Sequence, residues 1–233
     1  MKHIYVIPGT GVPKDIRFDL NYQLFLRQVF NRIFDDTTKR HILDPLIIFT
    51  GGHTDCWPPY KRSEAAEMAK LFKSFMAGPV TRTYTRQWKI KLEDKSISSL
   101  ENHLFVKRLV GNKKTNLTWF AELTRVKRHQ ALGRHVFGQG FKTIGIDYDV
   151  SANRYRLGMI DDREKLSVAH DFWALRKPAN QRAHHRYFLE RFKFLRSFPV
   201  TKHVEAVHQW RVQMAVKKLP VEFKRVAQRR GLI

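Results

Sequence analysis

Residues 45–52 read Pro-Leu-Ile-Ile-Phe-Thr-Gly-Gly, and this stretch decides the fold. Four consecutive apolar residues, Leu46 to Phe49, stand between a proline and a pair of glycines. A strand with one wet face alternates apolar and polar residues. An unbroken apolar run of this length, bounded by turn residues, belongs to a strand covered on both faces. Both faces are covered when helices cross from strand to strand, so the neighbouring segments should be helices and further strands.

They read that way in both directions. Upstream, residues 3–7 (HIYVI) form a short buried strand, followed by the loop PGTGVP. Residues 19–34 then carry Leu20, Leu24, Phe25, Phe30 and Ile33 at near-helical spacing. Downstream, residues 63–76 read as a helix with Ser63 as N-cap and Glu64 and Glu67 at the positive end of its dipole. Trp88 to Leu92 alternates weakly as a third strand, and residues 99–110 form a helix. Leu117 to Phe120 is a fourth strand, residues 126–137 a helix closed by Gly138 and Gly140, and Thr143 to Tyr148 a fifth strand. Strand and helix joined by short connections imply parallel strands with right-handed crossovers. The expected fold is α/β, a Rossmann-like, doubly wound, mainly parallel sheet.

Beyond residue 150 the pattern changes. Amphipathic segments at 161–176, 180–196, 203–218 and 221–229 contain no convincing strand. The expected organisation is a core of residues 1–150 and a basic helical C-terminal extension, residues 151–233, packed on it.

Composition narrows the function classes. With 233 residues and 42% hydrophobic content, including 17 Phe and 5 Trp, the chain can build a real core. No run of about 18 apolar residues is present, so no membrane span is expected. The first dozen residues lack the features of a secretory leader, which points to a cytoplasmic location. The single cysteine, Cys56, excludes an intramolecular disulfide. Lys and Arg outnumber Asp and Glu by 44 to 21, for a net charge of +23. Such an excess favours anionic partners: nucleic acid, another polyanion or a phosphorylated metabolite. The charge is spread along the chain, which also describes a solvated basic surface.

In open parallel sheets, ligands bind beyond the carboxyl ends of the strands. That rule selects residues 8–13, 50–62, 93–99, 122–128 and 147–154. The first loop has Gly9 and Gly11 ahead of a helix, where backbone N–H groups can approach a phosphate or carboxylate. The second has Gly51 and Gly52 directly after the buried strand, then His53, Asp55 and Cys56. His53 and Asp55 suit an acid/base pair or metal ligands, but two residues do not make a metal site, and no metal is expected. Cys56 as a nucleophile would need a nearby base and a lowered pKa.

The third loop is the most informative. The strand ends in Glu93 and Asp94, and Ser96, Ser98 and Ser99 lead into a helix whose first turn holds Glu101 and Asn102. One hydroxyl suffices for a cap; three hydroxyls with carboxylates at the junction suit ribose hydroxyls, an amine or a metal ion as well as capping. In the fourth loop Lys127, Arg128 and His129 open a helix. Three cations there oppose the dipole unless an anion is present.

The order Phe49-Thr50-Gly51-Gly52, then Arg62-Ser63-Glu64-Ala65, then Glu93 to Ser96 through Ser99 to Glu101-Asn102 resembles the YdcF-like family, which includes SanA- and ElyC-type proteins. The likeness covers about residues 3–150. The stretch Thr124 to Ala131, with Arg128, looks like the family's later basic helix start. The chain departs from it in having Ser98-Ser99 where the family has Asn-Thr, and in lacking a clean His-x-x-Arg-Ala pattern. The resemblance implies a Rossmann-like cleft and, residue by residue, a site involving Gly9, Gly51, Gly52, Glu64, Glu93, Ser96, Glu101, Asn102 and Arg128. One family member is reported to bind S-adenosylmethionine, and others are linked to cell-envelope biogenesis.

The expected function is binding of a nucleotide-like or phosphorylated small molecule, with S-adenosylmethionine the named cofactor candidate. A transferase or hydrolase fits a carboxylate beside a cation, though no feature selects a reaction. Two rivals stand beside this. One is a nucleic-acid-binding protein using the basic C-terminal helices, where cations such as Arg186, Lys193 and Arg225 alternate with Tyr187, Phe192 and Trp210. The other is a non-catalytic interaction module.

Overall fold

The structure is a computed structural model and describes residues 2–111, 115–147 and 160–233. The chain divides into two compact units, Met1–Asp55 with Tyr60–Asp149, and Cys56–Pro59 with Val150–Ile233.

In the first unit the described residues form five strands, β1 (Lys2–Pro8), β2 (Leu46–Thr50), β3 (Lys89–Glu93), β4 (Thr115–Glu122) and β5 (Phe141–Ile146). All pairings are parallel and the order is β3-β2-β1-β4-β5. Every residue of β2 is buried, as its unbroken apolar run requires. One face of the sheet presents Ile4, Val6, Ile48, Leu117, Trp119 and Phe141. These pack against Val106 and Val110 of α4 (Ser99–Val110) and Val126 and Phe137 of α5 (Val126–Phe137). On the other face Phe49 meets Phe72 of α2 (Glu64–Met76), and Phe72 meets Phe30 of α1 (Leu20–Lys39), each ring pair edge-on at 5.3 Å. Helices therefore cover both faces, and the sheet is doubly wound. The strand order reverses between β1 and β4, and in open α/β sheets such a switch point marks the ligand crevice at the carboxyl ends of the strands.

Helix starts follow local chemistry. Asp19, Ser63 and Ser98 each accept a backbone N–H from the first turn of α1, α2 and α4, leaving fewer orphan donors. Gly138, at φ +88°, ends α5.

The structure adds and corrects elements. A seven-residue helix, α3 (Pro79–Thr85), lies between α2 and β3 and buries only Thr85; such a helix leaves no apolar stripe to read. The fifth strand begins at Phe141, two residues before the expected Thr143, because Phe141 pairs with Leu117 and fills the core. Its expected end at Tyr148, and most of the loop 147–154, lie outside the described residues.

The second unit is helical. It contains α6 (Ile160–Leu175), α7 (Pro178–Arg196), α8 (His203–Gln209) and α9 (Val221–Arg229). The expected single segment 203–218 is interrupted. After α8 the chain makes a π-helical turn, Trp210–Met214, in which Ala215 N–H bonds to Trp210 O at 2.7 Å. Asp171 of α6 and His184 of α7, each 1% exposed, meet at 3.0 Å. Asn180 donates to Trp173 O at 2.8 Å. Leu195, Ala206 and Trp210 form a core with Tyr187, Phe192 and Phe194 around them. Leu189 of α7 is 48% exposed. Among the described residues no helix is long and apolar enough to cross a membrane.

Candidate functional site

Register aligns Pro8, Thr50 and Glu93 in one row across β1, β2 and β3, so their three loops leave the sheet together. The loops are then tied to one another. Gly9 N–H donates to Thr50 O at 2.8 Å, Gly51 N–H to Glu93 O at 3.0 Å and Gly52 N–H to Ser96 O at 2.6 Å. The first amides of α2 turn back onto the same loop, Glu64 N–H to Gly52 O at 3.1 Å and Ala65 N–H to Gly51 O at 2.9 Å.

The glycines have a steric cause here. A Cβ on Gly9 would lie 1.9 Å from Glu64 Oε2, and one on Gly51, at φ +143°, would lie 2.6 Å from the same oxygen. The Glu64 carboxylate thus lies across both glycines. Its other oxygen, Oε1, accepts the Thr54 hydroxyl. At Gly52 a Cβ would meet backbone: Ser96 O at 2.6 Å and Asp94 O at 2.9 Å. Gly11 is held differently, because Tyr22 Oη donates to Gly11 O and accepts Thr10 N–H at 2.8 Å.

Glu93 is 5% exposed. Its Oε2 accepts the hydroxyls of Thr50 and Ser96, and its Oε1 accepts Lys95 N–H and Ser96 N–H, both at 2.9 Å. A carboxylate offers about four acceptor positions, so this one is filled by its own loop and by Thr50 of β2. Glu101 accepts Ile97 N–H at 2.8 Å while Ser98 Oγ accepts Glu101 N–H at 3.2 Å, a reciprocal cap for α4. Of the three serines that looked surplus, Ser96 serves Glu93 and Ser98 caps the helix. Ser99 O receives His103 Nδ1 at 2.8 Å, and Asn102 is buried in the same turn.

On the far side of the crevice, β4 ends in Glu122, which pairs with Arg125 at 2.9 Å. Arg128 is buried in the first turn of α5. His129 turns into the core, its ring 5.6 Å from that of Trp119, and Lys127 is exposed. The basic helix start therefore splits into a core imidazole, a surface lysine and a buried guanidinium.

Sequence reasoning missed a buried ion pair. Asp55 is fully buried, and Arg62 grips it through Nε at 2.8 Å and Nη2 at 3.0 Å. Arg62 Nη1 also donates to Lys14 O at 2.8 Å, which ties the β2 loop to the β1 loop. The hydrogen bond to Asp55 raises the Arg62 pKa further above its ordinary value. Nothing in the spacing of a polar loop announces such a pair. Asp55 is thus an arginine's partner, while His53 Nδ1 faces Lys61 O at 2.9 Å. Cys56 is half-buried against the Leu195–Trp210 cluster. The described residues hold no group of three His, Cys, Asp or Glu fit for a metal ion.

Two hollows, of about 440 and 460 Å³, are lined by other residues than the candidates. The first lies in the β1 loop, bounded by Pro13, Lys14, Asp15, Phe18 and Asp19. Arg17 hydrogen-bonds to Asp15 and holds that carboxyl down at about 2. The second lies between α1 and the strands β4 and β5, with Arg32, Arg40 and Lys142 on its wall.

Comparison with protein-family models, with curated proteins and with solved structures returns no match to this chain.

Proposed function

We propose that the strand-end cluster binds a nucleotide-like or phosphorylated small molecule, S-adenosylmethionine being the first candidate, in the crevice flanked by the β1 and β4 loops. The observation that carries this reading is the Glu64 carboxylate lying across Gly9 and Gly51, at the end of β1 that borders the crevice. A buried carboxylate there suits a ribose hydroxyl or an amine, and buried Arg128 suits a carboxylate or phosphate. Glu93 and Glu101, the carboxylates first favoured for ligand contact, hold the loops in shape instead. The reading also takes the chain as a relative of the YdcF-like family, which the Gly-Gly, Ser-Glu-Ala and Glu-Asn motifs support.

Isothermal titration with S-adenosylmethionine, ATP and pyrophosphate tests it. Binding of at least one is expected, with Glu64→Gln and Arg128→Met each weakening it tenfold or more while the fold survives. Absence of binding by all three, or full affinity in both variants, overturns the reading.

A further inference from the structure

The strand-end site leaves the second unit without a role, and its surface is unlike that site. Between residues 160 and 233 there are 17 Lys and Arg against 7 Asp and Glu. We infer that this helical unit binds duplex nucleic acid through its phosphates alone, along a cationic strip on α7 that continues into the turn before α9.

The strip has a defined geometry. Arg182, Arg186 and Lys193 are all exposed on α7. Steps of four and seven residues keep them on one side of a helix, over about 16 Å of its length. That length matches the rise of about five base pairs at 3.4 Å each. Lys218 Nζ reaches Glu190 Oε2 on α7 at 3.6 Å, and Lys224 Nζ donates to Lys217 O at 2.6 Å. The first contact sets Lys218 beside α7, and the second joins Lys224 to Lys217, its chain neighbour. The nearby acids are already matched, Glu190 by Lys218 and Glu222 by Lys177 at 3.6 Å, so the strip keeps its positive sign.

The mode of binding follows from where the aromatic rings are. Single-strand binders stack bases on exposed rings. Here Tyr187 and Phe194 pack on Trp210 at 5.8 and 5.4 Å, and Trp210 is 2% exposed. Those rings build the core and the cations face water. A surface of cations without stacking rings contacts phosphates and carries no base readout.

Fluorescence anisotropy with two unrelated 20-base-pair DNA duplexes tests the inference on the full chain. Equal affinities within about threefold are expected. Log K should fall with log salt at a slope of about −4.5, the value for about five phosphate contacts. The triple variant Arg182→Glu, Arg186→Glu, Lys193→Glu should bind at least tenfold more weakly with an unchanged thermal melt, while Glu64→Gln binds as wild type. The inference is overturned by a tenfold preference for one duplex or for single strands. Stronger binding to vesicles of anionic phospholipid than to DNA at the same salt, or unchanged DNA binding by the triple variant, also overturns it. Because Glu64→Gln reports on the strand-end site separately, failure of either proposal leaves the other standing.

Discussion

The strand-end loops and the outer face of α7 are both rich in charged and polar residues, yet they use them in opposite ways. In the loops, Glu93, Ser96, Ser98, Glu101 and Asp55 are buried and bonded to backbone or to a neighbour a few residues away. On α7, Arg182, Arg186 and Lys193 face solvent. Residue type alone does not separate architecture from function; the direction of the hydrogen bonds does. Those five loop residues should register mutation as lost stability and the α7 cations as lost binding.

The largest effect is expected at Gly52. Its missing Cβ is replaced at close range by Ser96 O, Asp94 O and Lys95 C, all backbone, which cannot swing aside as a side chain would. Gly52→Ala should separate the β2 and β3 loops and break the 2.6 Å bond to Ser96. A loss of about 3 kcal/mol or more in urea denaturation is expected. Wild-type stability in this variant would show that the loops are loosely joined and that the contrast with α7 fails. Next comes Glu93→Gln. The amide places an N–H₂ where two donors already converge, leaving buried donors without an acceptor, at a cost of about 2 kcal/mol. The matching readout is the urea midpoint with ligand absent, which isolates the structural role.

These loops also show how far the sequence could be read. The strand β2 was legible because burial on both faces writes itself into consecutive apolar residues. Ser63 was legible as a cap because hydroxyl before helix is a local signal. The junction from Glu93 to Asn102 was legible as unusual, but its internal bonding was not, since a count of hydroxyls does not say which acceptor each one meets. The Asp55–Arg62 grip depends on how one loop folds back on itself, which no periodicity encodes. Helix α3 carries no apolar stripe, and the π-turn at Trp210 adds a residue to a turn without changing the amphipathic look of 203–218. Sequence patterns report burial well and polar pairing poorly.

A smaller effect is expected from His3 on β1. Burial, and then the cation of Arg40, hold its pKa below the ordinary 6.5, with Asp36 opposing them. The folded state therefore prefers the neutral ring. Its stabilising share is complete above pH 6.5 and is lost as pH falls below that value toward the lower folded pKa. Urea midpoints at pH 5 and pH 7 should show a rise with pH that His3→Gln reduces. An unchanged pH dependence in that variant would remove His3 from the list of linked groups.

The smallest effect on folding belongs to the variant that should matter most for binding. Arg182→Glu, Arg186→Glu and Lys193→Glu replace residues that are exposed and stand in no ion pair among the described residues. Several small terms compete. Glu at 182 lies near the start of α7, where the dipole favours an acid, and Glu at 193 lies near its end, where the dipole opposes one. Glu at 186 sits one turn from Glu at 182 and from Glu190, and Glu at 193 lies three residues from Glu190, each pair repelling by a few tenths of a kcal/mol, while Lys218 remains in place to screen Glu190. Lowering a net charge of +23 relieves self-repulsion across the whole chain. The sum should fall within about 0.5 kcal/mol of zero in thermal or urea denaturation, as for exposed sites generally. A loss of several kcal/mol would mean that the α7 stripe is held in the fold as tightly as Glu93. The difference between the two regions would then be one of appearance only, and the reading of the stripe as a phosphate-binding surface would fall with it.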